Sequence, residues 1–518
     1  MPTPSNKSNN GLTQRIVYPA FNGGLNLSVP PESIERNELR EAINVEYSPK
    51  TGSMRVRGGL RFLGFFDNDK LPDYIVSVGG SQFFSVTSGV IAEYDRHYEN
   101  VYSIGGWVLE KIESFNMELL ADLTSASAWG SFGPTAPTCI YAMEIEPEVF
   151  LLSFGHRLYK YTNFSALGEE IKTELPFYTL TRRLDNVRMI FNRDERIGVV
   201  EGDSNIHVSG IGDIANWEDE TASDSQYTEV GYKDSMTIQA VVPLSQDLII
   251  FKARNGTDRG KIYRLVGKDP QAWQVVEVAH NTSTFSQNSV QVVGNDVFYL
   301  SESGLNILSS VQAYGDVKMS TPDTKVNNAL APLLKQTAKM WNLQHRQQLW
   351  ILPSQDSEYI WVFDYIRNIW TKFKFPIQNI MAISEGYATA GDHTIFVYIV
   401  THDGMYALDD NATVDTFGLK ETYLGEVYQS TKTQQIEGYM KLGTLTTGHQ
   451  TLIKNVYASH NIPEGCSGEL ILGKFKMPFK GSHSRRQCLV RDWKIAPEIK
   501  MYGGGCSVST LGLEMVEV

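Results

Sequence analysis

The stretch that decides the fold runs from Met340 to Pro376 and reads MWNLQHRQQLWILPSQDSEYIWVFDYIRNIWTKFKFP. Apolar and polar residues alternate in four short segments separated by turn-like residues, and each segment contains one of four tryptophans. The segments are Ala338 to Leu343, Gln347 to Leu352, Glu358 to Phe363 and Asn368 to Phe373. Four consecutive short strands predict an antiparallel meander, which needs neighbouring sheets because it cannot cover both of its faces alone.

Similar runs of short strands occur in other parts of the chain. They lie at Tyr74 to Tyr94 (a weaker copy), Thr138 to Thr162, Asn186 to Glu218, Met236 to Val278, Thr284 to Gln312 and Asn379 to Leu408. Units of four strands that recur at roughly 30–45 residues are typical of the blades of a β-propeller. The sequence therefore predicts an all-β protein with a propeller at its centre, and it leaves the number of blades open.

The pattern changes at both ends of this repeat. In the N-terminal segment, Asn37 can cap a short helix that has Glu38 near its positive end, and SPKTGS supplies the turn of a hairpin. After Phe417 the alternating strands are longer, as in a β-sandwich. We predict three parts: an arm, short helix and hairpin at residues 1–64, a propeller at 65–416 with a short helical insert near 321–337, and a sandwich at 417–518. Pro332 makes the insert a kinked or two-piece helix.

Composition narrows the possible functions. The chain has 518 residues and a net charge of −13, and this acidity argues against wrapping of nucleic acid, which favours a basic surface. Its four cysteines, at 139, 466, 488 and 506, lack the close pairing of a zinc site. We expect idle thiols in a reducing compartment, with a disulfide among the last three as the alternative. No apolar run approaches the roughly 20 residues that span a bilayer, and the N-terminus lacks a signal-peptide core.

Motifs that suggest chemistry are better explained by structure. GELILGKF, from Gly468 to Phe475, has Phe475 where a P-loop needs serine or threonine. GGGCS at Gly503 to Ser507 and the His402-Asp403-Gly404 step read as turns. No HExxH motif, GxSxG elbow or Asp-box repeat occurs. We therefore predict no catalytic, cofactor-binding or metal-binding residue. The tryptophans either pack between blades or stack on sugar, and their apolar neighbours favour packing.

Three arginines in MRVRGGLRF are the candidate binding residues: Arg55, Arg57 and Arg61. Arg55 and Arg57 share one face of the predicted strand. They are suited to an acidic partner or phosphates, either on a neighbouring subunit or on an adaptor protein, and a solvated face is the alternative interpretation.

The N-terminal block FNGGLNLSVPPESIERNELREAINVEYSPKTGSMRVRGGLRFLG resembles the start of tail proteins from short-tailed bacteriophages. The matching positions are Phe21, Gly23, Gly24, Ala42, Asn44, Val45, Arg57 and Gly58. A second match is NIHVSGIGDIANWED, in which Ile214 replaces the proline of the family's pattern. The runs IIFKARNGTDRGKIYRLVG, NDVFYLSESGLNILSS and WVFDYIRNIWTKF are similar to its propeller blades.

The resemblance implies a tail nozzle (tail tubular) protein or a head-completion stabilisation plug, built as a propeller plus a β-sandwich. For a nozzle it implies a homohexameric ring below the portal and its adaptor, assembled in the bacterial cytoplasm and carried in the virion. Genomic DNA would pass through the ring without specific binding, and fibres, spikes and tail-tip proteins would attach to it. No enzyme activity, cofactor or membrane insertion is implied. The alternative from another class is a propeller that binds glycans or hydrolyses them.

Overall fold

The computed structural model describes most of the chain as strands. The described residues are 13–65, 74–79, 82–87, 90–99, 106–112, 117–122, 140–146, 149–154, 157–162, 187–193, 196–211, 216–217, 225–244, 246–254, 259–267, 272–311, 316–320, 324–387, 395–423 and 426–517. Between 74 and 162 only the strands and their pairing are described.

The N-terminal segment contributes six strands: β1 (Thr13–Pro19), β2 (Gly24–Leu25), β3 (Glu38–Ile43), β4 (Val45–Ser48), β5 (Ser53–Val56) and β6 (Gly59–Phe65). The predicted hairpin is confirmed as β4 and β5. The predicted short helix is wrong, because its residues form β3. Hydrogen bonds to strands on both sides of β3, parallel β2 on one side and a distant antiparallel strand on the other, override the local helical signal.

Seven four-stranded units follow. The first three units are blade 1, with β7 (Tyr74–Gly79), β8 (Gln82–Thr87), β9 (Val90–Glu99) and β10 (Gly106–Ile112); blade 2, with β11 (Met117–Asp122), β12 (Ile140–Glu146), β13 (Val149–Phe154) and β14 (Arg157–Thr162); and blade 3, with β15 (Val187–Arg193), β16 (Arg196–Glu201), β17 (Asn205–Val208) and β18 (Gln226–Glu229). The next three are blade 4, with β19 (Thr237–Leu244), β20 (Asp247–Ala253), β21 (Gly260–Val266) and β22 (Gln274–His280); blade 5, with β23 (Val290–Val293), β24 (Asp296–Ser301), β25 (Gly304–Val311) and β26 (Asp316–Ser320); and blade 6, with β27 (Lys339–Leu343), β28 (Gln348–Leu352), β29 (Ile360–Asp364) and β30 (Ile369–Phe373). The last is blade 7, with β31 (Ile380–Tyr387), β32 (Ile395–Thr401), β33 (Gly404–Asp409) and β6. These units are the blades of the predicted propeller, and the described strands set their number at seven.

The blades close into a ring. The innermost strands contact one another in the order β7, β12, β15, β19, β23, β27 and β31, and β31 contacts β7. Blade 7 takes its outermost strand, β6, from the N-terminal segment, where β6 pairs antiparallel with β33. The ring is therefore held shut by main-chain hydrogen bonds between residues more than 300 positions apart along the chain.

The predicted helical insert between blades 5 and 6 is confirmed as two short pieces. An α-helix, α1, spans Thr324–Leu330, and a 3-10 turn that contains the proline follows at Ala331–Leu333. A further 3-10 turn lies at Gln287–Ser289, before blade 5. Val326 and Leu330 of α1 are buried in the largest hydrophobic core of the described residues.

The C-terminal strands form the predicted sandwich. They are β34 (Val414–Tyr423), β35 (Glu426–Gln435), β36 (Glu437–Leu442), β37 (Leu445–Asn461), β38 (Ser467–Leu472), β39 (Phe475–Pro478), β40 (His483–Ile495), β41 (Glu498–Tyr502) and β42 (Ser507–Glu517). One sheet has the order β4-β5-β42-β37-β40, with β1 also on β42, and the other has the order β3-β36-β41-β38-β39. The hairpin β34–β35 comes first, and β34 lies against β6 of blade 7. The predicted propeller–sandwich boundary at 416–417 falls inside β34.

Blade 6 joins the propeller to the sandwich. Its outer strand β30 meets β3 through one parallel bridge, Ile43 to Lys372, so blade 6 continues into the second sandwich sheet. Trp361 and Trp370 are buried in a core that they share with sandwich residues, whereas Trp350 packs in a separate core with residues of blade 7. The prediction that these tryptophans are packing residues is confirmed, but two of them pack against the sandwich as well.

Candidate functional site

The three candidate arginines all lie where the N-terminal segment meets blade 7 and the sandwich, but in different environments. The expectation that they form one solvated or partner-facing surface is wrong for Arg57, which is fully buried. Its guanidinium forms a two-pronged ion pair with Asp415, with Nη1 to Oδ1 and Nη2 to Oδ2 distances of 2.8 Å each. Nη1 also donates to the Gly58 carbonyl at 2.9 Å, and Nη2 donates to the Lys374 carbonyl at 2.9 Å.

The remaining donor of Arg57 explains why the charge can be buried. Its Nε donates to Asn44 Oδ1 at 3.0 Å, which brings all five guanidinium donors into use. The guanidinium also lies 4.3 Å from the ring centre of Phe375. A buried charge is tolerated only when it is paired and hydrogen-bonded, and Arg57 meets both conditions with groups from the N-terminal segment, the end of blade 6 and β34.

Asn44 connects the same parts through its backbone and its side chain. It has a φ of 53°, in the left-handed region that asparagine tolerates better than most residues. Its N–H donates to the Lys372 carbonyl at 2.7 Å, and its Nδ2 donates to the Glu437 carbonyl of β36 at 3.0 Å. Asn44 therefore bonds blade 6, the sandwich and Arg57 at once.

Two glycines of the same block permit close approach of the backbone. A Cβ on Gly58 would lie 2.3 Å from the Asp409 carbonyl oxygen, at the end of blade 7. A Cβ on Gly24, whose φ is +63°, would lie 2.9 Å from the backbone nitrogen of Trp370 in blade 6. Four of the positions that carry the phage-tail resemblance, Gly24, Asn44, Arg57 and Gly58, thus lie where the propeller meets the sandwich, and we call this region the junction.

A network of four charged side chains lies beside the junction. Arg55 bonds Glu46 at 2.7 Å and Asp410 at 3.4 Å. Arg346 of blade 6 bonds the same two carboxylates, so two arginines and two acids alternate. Burial alone would raise the pKa of Asp410, but Arg346 and Arg55 outweigh it and lower that pKa below its usual value. The positive charges of Arg55 and Arg346 are matched by the negative charges of Glu46 and Asp410, so the network helps to hold this region together.

Arg61 is the most exposed of the three candidates. Its side chain is 46% exposed and pairs with Asp409 across the β6–β33 ladder. Arg55, with a 33% exposed side chain, and Arg61 stay predictions as contact residues for a subunit or adaptor. Arg57 is instead a structural residue.

A crevice of about 550 Å³ opens next to the junction, between blade 6 and the sandwich. Its wall includes Tyr359, Lys374, Glu437, Glu498 and Lys500. The lysines are paired, because Lys374 bonds a glutamate of blade 6 and Lys500 bonds Glu437 at 3.0 Å. Hydrogen bonds to these glutamates raise the pKa of both lysines. The charged side chains in the wall of the crevice largely neutralise each other.

A second polar cluster lies inside blade 3 and was not predicted. The His207 ring lies 3.1 Å from Ser225 Oγ through Nε2 and 3.4 Å from Glu201 Oε2 through Nδ1. The Trp217 ring stands edge-on to the histidine, with 5.1 Å between the ring centres. The order serine, histidine, acid suggests a hydrolase, but all three side chains are buried, with Ser225 only 1% exposed. We interpret the cluster as an internal packing network. The sequence signal was the NIHVSG strand and the tryptophan that follows it.

Over the described part of the chain, no group of three or more histidine, cysteine, aspartate or glutamate residues could hold a metal ion. Cys466, Cys488 and Cys506 are free thiols, and Cys139 lies outside the described residues. No helix in the described ranges is long and apolar enough to cross a membrane.

Comparison with known proteins gives no family. No family model matches the chain, and no curated protein matches it. Among solved structures, the chain is similar to the WD40 β-propeller domain of Doa1, with 12% identity, a TM-score of 0.37, and coverage of 67% of this chain and 96% of that one. BamB from Moraxella catarrhalis gives 9% identity, a TM-score of 0.32 and coverage of 76% and 97%. Hsv2 from Kluyveromyces lactis gives 12% identity, a TM-score of 0.31 and coverage of 69% and 98%.

These likenesses are too distant to bear on function. The class of protein rests on the chain's own strands: it is an all-β protein, a propeller fused to a β-sandwich, with a small N-terminal segment that is paired into both.

Proposed function

We propose that this protein is a structural subunit of the tail nozzle of a short-tailed bacteriophage. In this role, six copies form a ring below the portal and its adaptor, genomic DNA passes through the ring during ejection, and fibres, spikes or tail-tip proteins attach to it. The protein is carried in the virion after assembly in the host cytoplasm, and it acts without catalysis or a cofactor.

One observation carries the proposal. The residues that give the chain its resemblance to phage tail proteins, above all Asn44, Arg57 and Gly58, are used at the junction, where they join the propeller to the sandwich. Because these residues connect the propeller to the sandwich, they support a role in which the two domains move as one rigid block. Such a block suits a ring that has to keep its shape while DNA passes.

The charge of the chain supports the same role. With a net charge of −13 the subunit as a whole repels phosphate, which suits a channel through which DNA slides without sticking. Closed rings need heterologous contacts between neighbouring subunits. We assign Arg55, whose side chain is 33% exposed, and Arg61, whose side chain is 46% exposed, to such a contact or to the adaptor.

Ring formation and binding to the adaptor protein test the proposal. We expect sedimentation velocity and negative-stain images of the purified protein, mixed with the adaptor of the same virus, to show ring particles bound to the adaptor. A protein that stays monomeric and never binds the adaptor would contradict the proposal. The position of the ring in the virion separates a nozzle from the closely related alternative, a head-completion plug between the portal and the needle.

A second candidate is a glycan-binding propeller or glycosidase, because the crevice beside the junction has two tyrosines and two glutamates in its wall, including Tyr439 and Glu498. The tryptophans give this candidate little support, since Trp350, Trp361 and Trp370 are at most 2% exposed. A glycan array and a hydrolysis screen test it. Turnover that is abolished by Glu498→Gln would replace the nozzle proposal with an enzyme.

A further inference from the structure

Strand β40 forms one edge of the first sandwich sheet, and its composition is unusual for this chain. β40 pairs with β37 on one side, and among the described strands none pairs with its other side. Near its start, Arg486 donates to the Lys476 carbonyl of β39 at 3.3 Å, so β39 lies against that end. The open length is residues 487–495, a row of main-chain donors and acceptors available to a further strand.

Two large apolar side chains stand exposed on this open length. Leu489 is 71% exposed and Trp493 is 67% exposed. The strand is nevertheless firmly held, because Cys488 and Ile495 are buried in the sandwich core and Val490 packs against it. The exposure therefore belongs to an ordered strand that presents apolar groups to solvent.

The same strand is basic although the chain is acidic. It carries Arg485, Arg486, Arg491 and Lys494 against one acid, Asp492, which gives 4 − 1 = 3 positive charges in a chain of net charge −13. Arg491 has no ion pair among the described residues, and Lys494 reaches only an exposed glutamate at 3.3 Å. Exposed arginine beside tryptophan is the composition of binding hot spots.

We propose that β40 is a docking strand for an extended, acidic segment of another protein, which adds to the sheet as a further strand. Main-chain hydrogen bonds along 487–495 hold the segment, its carboxylates pair with Arg491 and Lys494, and its apolar side chains cover Leu489 and Trp493. We call residues 487–495 the docking edge. The proposal concerns a surface separate from the junction and does not depend on the nozzle role.

Two other occupants fit the surface less well. Pairing of β40 with β40 of a second copy would place the same cations opposite one another, which is unfavourable across a strand pair. A nucleic acid would satisfy the arginines, but its phosphates have no donor for the main-chain carbonyls of the edge and no apolar group for the exposed Leu489.

In the free protein, the Asp492 side chain partly blocks this edge. Its Oδ1 accepts hydrogen bonds from the N–H groups of Trp493 at 2.8 Å and Lys494 at 3.3 Å. The carboxylate thus occupies two main-chain donors and opposes the approach of an acidic strand. Removing it by Asp492→Ala should improve binding, a result that a merely solvated edge would not give.

The probe is a fluorescein-labelled peptide of about ten residues that alternates glutamate with valine, the two-residue period of a strand. Fluorescence anisotropy with the full-length protein should show binding that weakens with salt. A lysine–valine peptide and a glutamate–valine peptide N-methylated at every residue should not bind, because the first reverses the charge and the second has no main-chain N–H donor on either edge.

The variants Arg491→Glu and Trp493→Ala should each weaken binding of the probe about tenfold or more, and Asp492→Ala should tighten it about threefold. Matched controls on the propeller are Arg259→Glu, at a side chain that is 80% exposed, and Tyr232→Ala, at a residue that is 71% exposed. Both should leave binding unchanged. All five changes are at the surface, so thermal melting should show each variant folded.

The outcomes separate the alternatives. Probe binding that depends on the docking edge and is lost on N-methylation supports the proposal. The proposal is overturned by equal binding of the N-methylated peptide, by unchanged binding of Arg491→Glu and Trp493→Ala, or by no binding of the acidic probe at millimolar concentration. Tighter binding of a single-stranded DNA oligonucleotide, or self-association through β40 in sedimentation, would also overturn it.

Discussion

Replacing Arg57 by alanine should be among the most destabilising single changes in the chain. The substitution removes five hydrogen bonds and leaves the Asp415 carboxylate, whose side chain is 5% exposed, with the Leu60 N–H at 2.8 Å as its described remaining donor. The carbonyls of Gly58 and Lys374 lose donors too. Breaking a buried ion pair from one side costs about 3–5 kcal/mol. That is a large part of the roughly 5–15 kcal/mol that holds a typical domain folded.

The measurement is urea unfolding of the wild type and Arg57→Ala, followed by tryptophan fluorescence. The midpoint should fall, and the transition should broaden or split, because the junction that couples the propeller to the sandwich is weakened. Asp415→Asn should also destabilise. The double variant should lose about 1–2 kcal/mol less than the sum of the two single changes, since the residues contact each other.

Arg61→Ala is the matched control. Its side chain is about half exposed, and its partner Asp409, although buried, keeps a hydrogen bond from the Asn411 N–H at 2.9 Å, so the expected loss is only about 1 kcal/mol. An equal effect of Arg57→Ala and Arg61→Ala, or a loss below about 1 kcal/mol for Arg57→Ala, would refute the structural role of the buried pair.

Three further predictions concern the stability of the fold. Trp361→Ala should lower the free energy of unfolding by about 3–5 kcal/mol in thermal melts, while the exposed Trp493→Ala should change it by less than about 0.5 kcal/mol; similar effects of both would show that the blade 6 ring is not buried. Gly58→Ala should cost about 1–3 kcal/mol, because its Cβ would overlap the Asp409 carbonyl; an unchanged urea midpoint would show that the two backbones do not approach closely. Burial and a neighbouring histidine lower the pKa of His460, so it stays neutral when folded while the unfolded chain takes up the proton. Stability should therefore fall as the pH drops through about 6.5, the ordinary pKa of histidine, and go on falling until the lower pKa of the folded state is passed. Urea midpoints should show a smaller loss in His460→Gln, and equal losses in both proteins would assign the pH dependence to other groups.

The local period of the sequence was enough to find most blades. In blade 6 the predicted strands begin and end within two residues of the observed ones, because each segment alternates clearly and turn residues separate it from the next. The two-piece helix followed from Pro332 in the same local way.

Pairing between distant residues could not be predicted in that way. The strand β6 closes blade 7 by pairing with β33, and β3 links blade 6 to the sandwich, but neither pairing leaves a periodic trace in the sequence. β3 was misassigned as a helix because Asn37 suits a cap and Glu38 suits the positive end of a helix. The hydrogen bonds that decide its conformation come from strands far along the chain.

The same limit explains the error at Arg57. In MRVR it looks like one of two arginines on an exposed strand face, the usual location of charged residues. Its burial depends on acceptors from Asn44, Lys374 and Asp415, which meet only in the folded protein.

The central claim, a ring-forming structural subunit in a phage tail, is tested most directly by a cryo-electron microscopy map of the virion that encodes this chain. The account predicts six copies of a seven-bladed propeller with an attached β-sandwich, arranged in a ring below the portal and adaptor, with the channel open for DNA. Absence of this fold from the tail, or its presence as a single peripheral copy with a sugar bound in the crevice, would contradict the claim.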